Sequence, residues 1–561
     1  MIMSTKKGIA RKLIASLILT ICLWPGWFLK NTGIFELMTY GPDSSVSYLL
    51  GRISLSDIIA AVVFYIICVL VIFCASRPPE IWEYFFSAAA AVVMAAAYGY
   101  DAANEFLLSR NFLYSFLLCL AFFVFCLMTI AVIRSFVRLA VRKKRKLPSW
   151  LDKHFFLYVF IIIVLLWLPY VIVRYPGGIE WDAHRQIEQA LGIRKMTAKY
   201  VPASSWFMGA FVKLGYVLSG SYDTGLFVLV IAQTIICAAI FAWSINFLRR
   251  IDLPAQYLYI ATGICGIVPV FPGYMTSVVK DALFSAVVVL FITVLADNLY
   301  LGKNRKKMLM LFVSGFAMCI LRNNGVLVLF PILLVLLIYC IIKKGRHASF
   351  TAIIAGVLGL YALYLFVFIP AMGIKNNSMG GELMSIPFQQ TARYAVTYPE
   401  EISEEEKDDI NGVLEYDQLN LYDPRLSDPI KSQYHGDSEA LNKYFKVWAD
   451  QFSRHPGLYF SATFNTVYGF FYPESHIDLV INSCPYWGDE WGFAYTWNDK
   501  IEYNPPESLA KARENFRSYI MTVEDFPLVR YFVHVASGVW ISLGIALWAA
   551  VKRRKALMFL C

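Results

Sequence analysis

Six consecutive residues, Glu180 to Arg185, hold two carboxylates (Glu180, Asp182), an imidazole (His184) and a guanidinium (Arg185). They follow the apolar run 154–173 and the turn-forming Pro176-Gly177-Gly178. Proline and glycine stop a helix there, and charge is expensive at membrane depth, so a dense polar cluster on the shoulder of a spanning helix marks a functional site. Two further places combine charge with an apolar run: Lys280-Asp281, at the start of one, and Arg322-Asn323-Asn324-Gly325, at the end of another. A carboxylate at the bilayer surface can accept a proton, and cations at the same depth can hold a phosphate.

The elements that position these residues follow from composition. Of 561 residues, 58% are hydrophobic and only 16% charged. A soluble chain has about 25% charged residues, so this one reads as a multi-span membrane protein. The net charge of +10 is no argument for nucleic acid, because Lys and Arg gather in short loops between apolar runs, as the positive-inside rule expects. Eleven Cys without a CxxC and seven dispersed His read as small buried hydrophobes and as no metal cage.

Apolar runs fall at about 13–28, 55–75, 83–102, 111–133, 154–173, 222–248, 257–274, 278–299, 308–321, 326–342, 349–369 and 529–551. The first follows Lys6, Lys7, Arg11 and Lys12 and reads as a span, since no small-x-small cleavage site follows. The cluster Arg142-Lys-Lys-Arg-Lys146 anchors the count in the cytoplasm. Every other basic cluster then also falls inside, which predicts about twelve spans with both termini cytoplasmic. Run 308–321 is short of the roughly 20 residues a span needs. The expected divisions are 1–153 (four helices and a basic loop), 154–370 (a core with external loop 174–221), 371–528 (an extracytoplasmic domain) and 529–561 (a last span and basic tail). The fold expected is all-α, with a large mixed external region near the C-terminus.

The pattern Tyr175-Pro-Gly-Gly-Ile-Glu-Trp-Asp182…Gln186, then Lys280-Asp281, Arg322-Asn-Asn-Gly325 and Tyr472-Pro-Glu474 resembles an uncharacterised bacterial, Gram-positive-type branch of the GT-C superfamily of membrane glycosyltransferases. That resemblance spans roughly residues 150 to 550. It implies a GT-C-like helical bundle in the cell membrane and a polyprenyl-phosphate-linked sugar as donor. It also implies an acceptor in the cell envelope (glycan, glycolipid or protein) and chemistry on the outer face. The superfamily's catalytic acid falls on Asp182, with Glu180 its competitor.

Such a transfer needs a base for the acceptor proton, a role for Asp182; as a plain structural residue it would instead cap a helix beginning at Ala183. Lys280, Arg322, Arg185 and His184 are the expected contacts to donor phosphate, or else a structural ion network. Arg174 reads as a snorkelling anchor. Asn323 belongs to a turn expected to need left-handed backbone. Asp281, Asn323, Tyr472, Glu474, Asp489, Glu490 and Trp491 are candidates for sugar or acceptor binding. No cofactor is assigned; a divalent cation on His184 and the carboxylates stays open, since some superfamily relatives need one. The competing classes are a ligase or polymerase of lipid-linked envelope polysaccharide, and a transporter, which would show inverted repeats not visible here.

Overall fold

The computed structural model describes residues 6–31, 55–74, 78–106, 112–142, 145–179, 182–342, 348–374, 379–475, 501, 503–525 and 534–552. Among these, regular structure is helical throughout, apart from an isolated bridge between Ile179 and Val278. A helix satisfies its own backbone groups, which is what a lipid surrounding demands.

Seven helices among the described residues are long and apolar enough to cross a membrane: Ile81–Ala103, Ser115–Ser135, Phe155–Val173, Tyr222–Arg250, Lys280–Tyr300, Gly325–Ile342 and Ala348–Ala371. This corrects the expectation of a GT-C-like bundle of about twelve spans. The chain is a multi-pass membrane protein, with seven such helices among the described residues. Run 257–274 breaks because Val268 precedes Pro269 and is pushed to ψ 118°, leaving the helices Ala255–Ile267 (13 residues) and Val270–Met275 (6 residues). Run 308–321 lies in Arg305–Leu321, 17 residues that begin with three cations. Run 529–551 gives Val535–Val551, also 17 residues. Runs 13–28 and 55–75 lie in helices Lys6–Asn31 and Leu55–Cys74, where the fully described residues contain no apolar stretch of spanning length.

The mixed external region is corrected as well: its described residues form helices and short 3-10 turns, without a strand. Helices Ser385–Thr397, Ser438–Arg454 and Pro456–Val467 enclose a core of Phe388, Tyr394, Tyr444 and Tyr459. Ser403 starts another helix, Glu404–Asn411, with a reciprocal cap from Glu406.

The chain divides into two compact units. The first joins residues 1–143, 380–477 and 534–552; the second joins 144–379, 478–533 and 553–561. Within the first, buried Glu83 pairs with Arg134 at 2.8 Å. Within the second, helices Phe155–Val173, Tyr222–Arg250 and Lys280–Tyr300 pack around Trp167, Phe241 and Ala286. Asp297, almost fully buried, ties Lys307 (2.7 Å) and Arg250 near one end of this group. The polar residues of interest lie at the opposite end of the helix Lys280–Tyr300.

Candidate functional site

Arg174 is only 1% exposed. Its Nη1 donates to the Gly273 carbonyl (2.7 Å) and the Ser277 hydroxyl (2.9 Å). The snorkelling assignment is therefore corrected: the guanidinium points into the protein because two acceptors wait there. Gly178 leaves room for it, since a Cβ at that position would stand 2.9 Å from Arg174 Nε. The Val278 amide donates to the Gly178 carbonyl at 2.7 Å, so segment 174–179 lies alongside the strand-like segment before Lys280. Two more side chains hold these segments. Gln233, buried within an apolar helix, donates to the carbonyls of Met275 (2.9 Å) and Ser277 (2.6 Å). The Tyr503 hydroxyl donates to the Gly177 carbonyl at 2.9 Å.

Alignment of these segments sets Asp182 against Lys280. Asp182 precedes the helix Ala183–Ala190, yet its side chain makes no capping bond. Its carboxylate meets Lys280 Nζ at 3.2 Å instead, with the two side chains 42% and 18% exposed. Lys280 begins the helix Lys280–Tyr300, where the helix dipole disfavours a cation, and the Asp182 partner offsets that cost. Asp281, in the same first turn, suits the dipole and pairs with Arg322 at 2.9 Å. Arg322 also lies over the Phe284 ring, 5.7 Å from its centroid.

From Arg322 the contacts close into a ring. Asn323 Nδ2 donates to the Ala198 carbonyl at 3.1 Å, in the turn Ala198–Tyr200. The Tyr200 hydroxyl accepts from Arg185 Nη1 at 2.8 Å, and the Tyr200 carbonyl accepts from Gln186 Nε2 at 2.6 Å. Arg185 and Gln186 belong to the helix that Asp182 precedes. The Tyr200 bond, with help from the Asp182 and Glu188 carboxylates, holds the Arg185 guanidinium above its usual pKa. Lys280, Arg322 and Arg185 thus stand among the carboxylates Asp182, Asp281 and Glu188, and Glu188 is shared with a further cation, Arg194, at 2.9 Å. Cations that outnumber their counter-ions suit an anionic ligand.

The turn at 322–325 forms, with the Gly325 amide donating to the Arg322 carbonyl at 2.8 Å. Left-handed backbone is not what it needs, since none of its residues has positive φ. Glycine is required by crowding: a Cβ on Gly325 would lie 1.9 Å from the Met318 carbonyl oxygen.

His184 is buried beside this ring, at 8% exposure. Tyr472 and Glu474 belong to the other unit; there Tyr472 is buried, donates to Glu474 Oε2 at 3.1 Å, and packs edge-on against Tyr98 and Phe122. Glu180, Asp489, Glu490 and Trp491 lie outside the described residues. Among the described residues, no three His, Cys, Asp or Glu side chains gather as a metal ion would require. Sequence reasoning missed Gln233, Ser277, Tyr200 and Tyr503. Gln233 alone carried a signal, as a lone amide inside an apolar run.

Residues 195–561 match a family described as "Family of unknown function (DUF6020)", a range that includes Lys280, Asp281 and Arg322 and begins after Asp182. None of the curated proteins and none of the solved structures compared matches the chain.

Proposed function

The chain belongs to DUF6020, a family of unknown function, and from that premise we propose that it is a membrane glycosyltransferase of the GT-C kind. It takes a sugar from a polyprenyl-phosphate carrier and passes it to a hydroxyl of a cell-envelope acceptor on the outer face. The observation that carries this reading is the ion pair between Asp182 and Lys280, 98 residues apart in sequence and 3.2 Å apart in space. It sits at the end of an apolar helix, where a lipid phosphate would lie.

In this mechanism the donor phosphate competes for Lys280 and Arg322, which releases Asp182 from its ammonium partner. The acceptor hydroxyl attacks the anomeric carbon and gives its proton to the Asp182 carboxylate. The bond from that carbon to the phosphate oxygen breaks, and its electron pair leaves on the polyprenyl phosphate. Lys280 and Arg322 stabilise the charge that grows there, and Arg185 adds to the same field. The exchange of a carboxylate for a phosphate explains why cations and acids alternate around the ring. Asp281 and Asn323 then face the transferred sugar.

The test is transfer from a saturating polyprenyl-phosphate sugar by purified protein. Asp182→Asn keeps size and removes the charge, so turnover is expected to fall by about 10²–10⁴-fold, the usual worth of a general base. Lys280→Gln should weaken donor binding. Full turnover in the Asn variant would eliminate Asp182 as the base.

A further inference from the structure

The first unit contains a cavity of about 450 Å³ between the end of helix Ile81–Ala103 and the start of helix Pro456–Val467. Glu105, Phe106, Arg393, His455, Gly457 and Ser461 line it. We propose that this cavity is a second ligand site, which binds a phosphate ester through Arg393 and the first-turn amides of helix Pro456–Val467.

Its place in the fold points to the kind of ligand. Helix Ile81–Ala103 is long and apolar enough to span a membrane, so Glu105 and Phe106, just beyond its end, lie at headgroup level. Phosphate esters are the anions concentrated at that depth.

The cations around the cavity differ in how their charge is met. Arg454 is paired with Glu406 and with Asp450 (3.3 Å), and His455 with Glu401 (2.9 Å). Arg393 has no ion pair among the described residues. Its Nη2 donates to the Asn104 carbonyl at 3.2 Å, while Nη1 is buried without any acceptor. The Tyr422 hydroxyl lies beside this guanidinium but outside hydrogen-bond geometry. A buried charged donor without an acceptor is costly, and a ligand oxygen that draws the guanidinium toward the cavity removes the cost.

The backbone supplies the rest. Pro456 opens its helix without an N–H to offer; of the next amides, Leu458 returns to the His455 carbonyl at 3.1 Å, and the others carry the positive end of the dipole. Gly457 leaves them open: a Cβ built there meets nothing within 4 Å. Ser461 follows one turn later on the same face. The cavity exceeds what a bare phosphate fills and has the size of a small-ligand site. Its ester therefore carries a polar substituent of glycerol or sugar size.

The test uses the full-length, delipidated protein and three probes: phosphatidylglycerol in nanodiscs, soluble glycerol phosphate, and inorganic phosphate. Wild type should bind at least one ester more tightly than inorganic phosphate. Preference for phosphatidylglycerol identifies a lipid headgroup, and equal binding of glycerol phosphate identifies a soluble ester. Gly457→Leu fills open space and should fold normally, yet weaken binding tenfold or more. Arg393→Gln should do the same. Binding unchanged in Gly457→Leu, or absent from wild type for all three probes, would overturn the proposal. Should Arg393→Gln fail to fold, Gly457→Leu decides alone.

Discussion

Replacement of Arg174 by Met removes a side chain that sits at the end of a membrane helix and yet is turned inward. Its guanidinium donates to the Gly273 carbonyl and to the Ser277 hydroxyl. A hydrogen bond involving a charged group is worth about 1.5–3 kcal/mol, so the loss of both should destabilise the second unit by about 3–6 kcal/mol. An exposed anchoring arginine would cost within about 0.5 kcal/mol. The two accounts therefore differ several-fold, which is measurable by reversible unfolding in mixed micelles titrated with SDS. Arg174→Lys should fall between, since an ammonium keeps the charge but loses the planar fork. If Arg174→Met unfolds within about 0.5 kcal/mol of wild type, the inward-facing arginine is not what holds segment 174–179 beside the segment leading to Lys280. The alignment of Asp182 with Lys280 would then need another cause.

Gly325→Ala should cost about 1–3 kcal/mol or more, as overpacking does, and lower the thermal midpoint, because its Cβ collides with the Met318 carbonyl; an unchanged midpoint would contradict the crowding argument. Glu401 accepts from Tyr394 and pairs with His455, and these bonds hold its pKa below the ordinary value of 4.5. A lowered carboxylate contributes stability that is complete above 4.5 and is lost as pH falls through the lower folded value. Hydrogen exchange in helices 385–397 and 456–467 should therefore speed up below that pH, and Glu401→Gln should flatten this acid limb; the same limb in both proteins would count against it. For the proposed orientation, a cysteine replacing Glu400 should react with an impermeant reagent from outside the cell. One replacing Arg305 should react only after permeabilisation, and the reverse pattern would place the Asp182 site on the cytoplasmic side.

Much of the helical framework was legible because apolar length is a local property. The runs at 154–173, 222–248 and 278–299 appear as the helices Phe155–Val173, Tyr222–Arg250 and Lys280–Tyr300. The count of spans was not legible, because hydropathy averages across interruptions. Val268-Pro269 is hidden inside an apolar run, yet it ends a helix by backbone sterics. Region 371–528 resisted for a related reason: amphipathic helices such as Ser438–Arg454 show their apolar face only against the core they join.

By itself, the sequence determined that the chain is all-α and membrane-spanning, and that carboxylates and cations gather at the ends of apolar runs. Those outcomes depend on residue type and run length, which a one-dimensional reading retains. Only the tertiary structure decided which charge meets which. Asp182 could have capped its own helix, but its carboxylate reaches Lys280; Asp281 turns from its neighbour toward Arg322. Arg174 goes inward because Gly273 and Ser277, about 100 residues later, present two acceptors. An ion pair depends on distance and burial in three dimensions, and for residues so far apart both are set by how the helices pack.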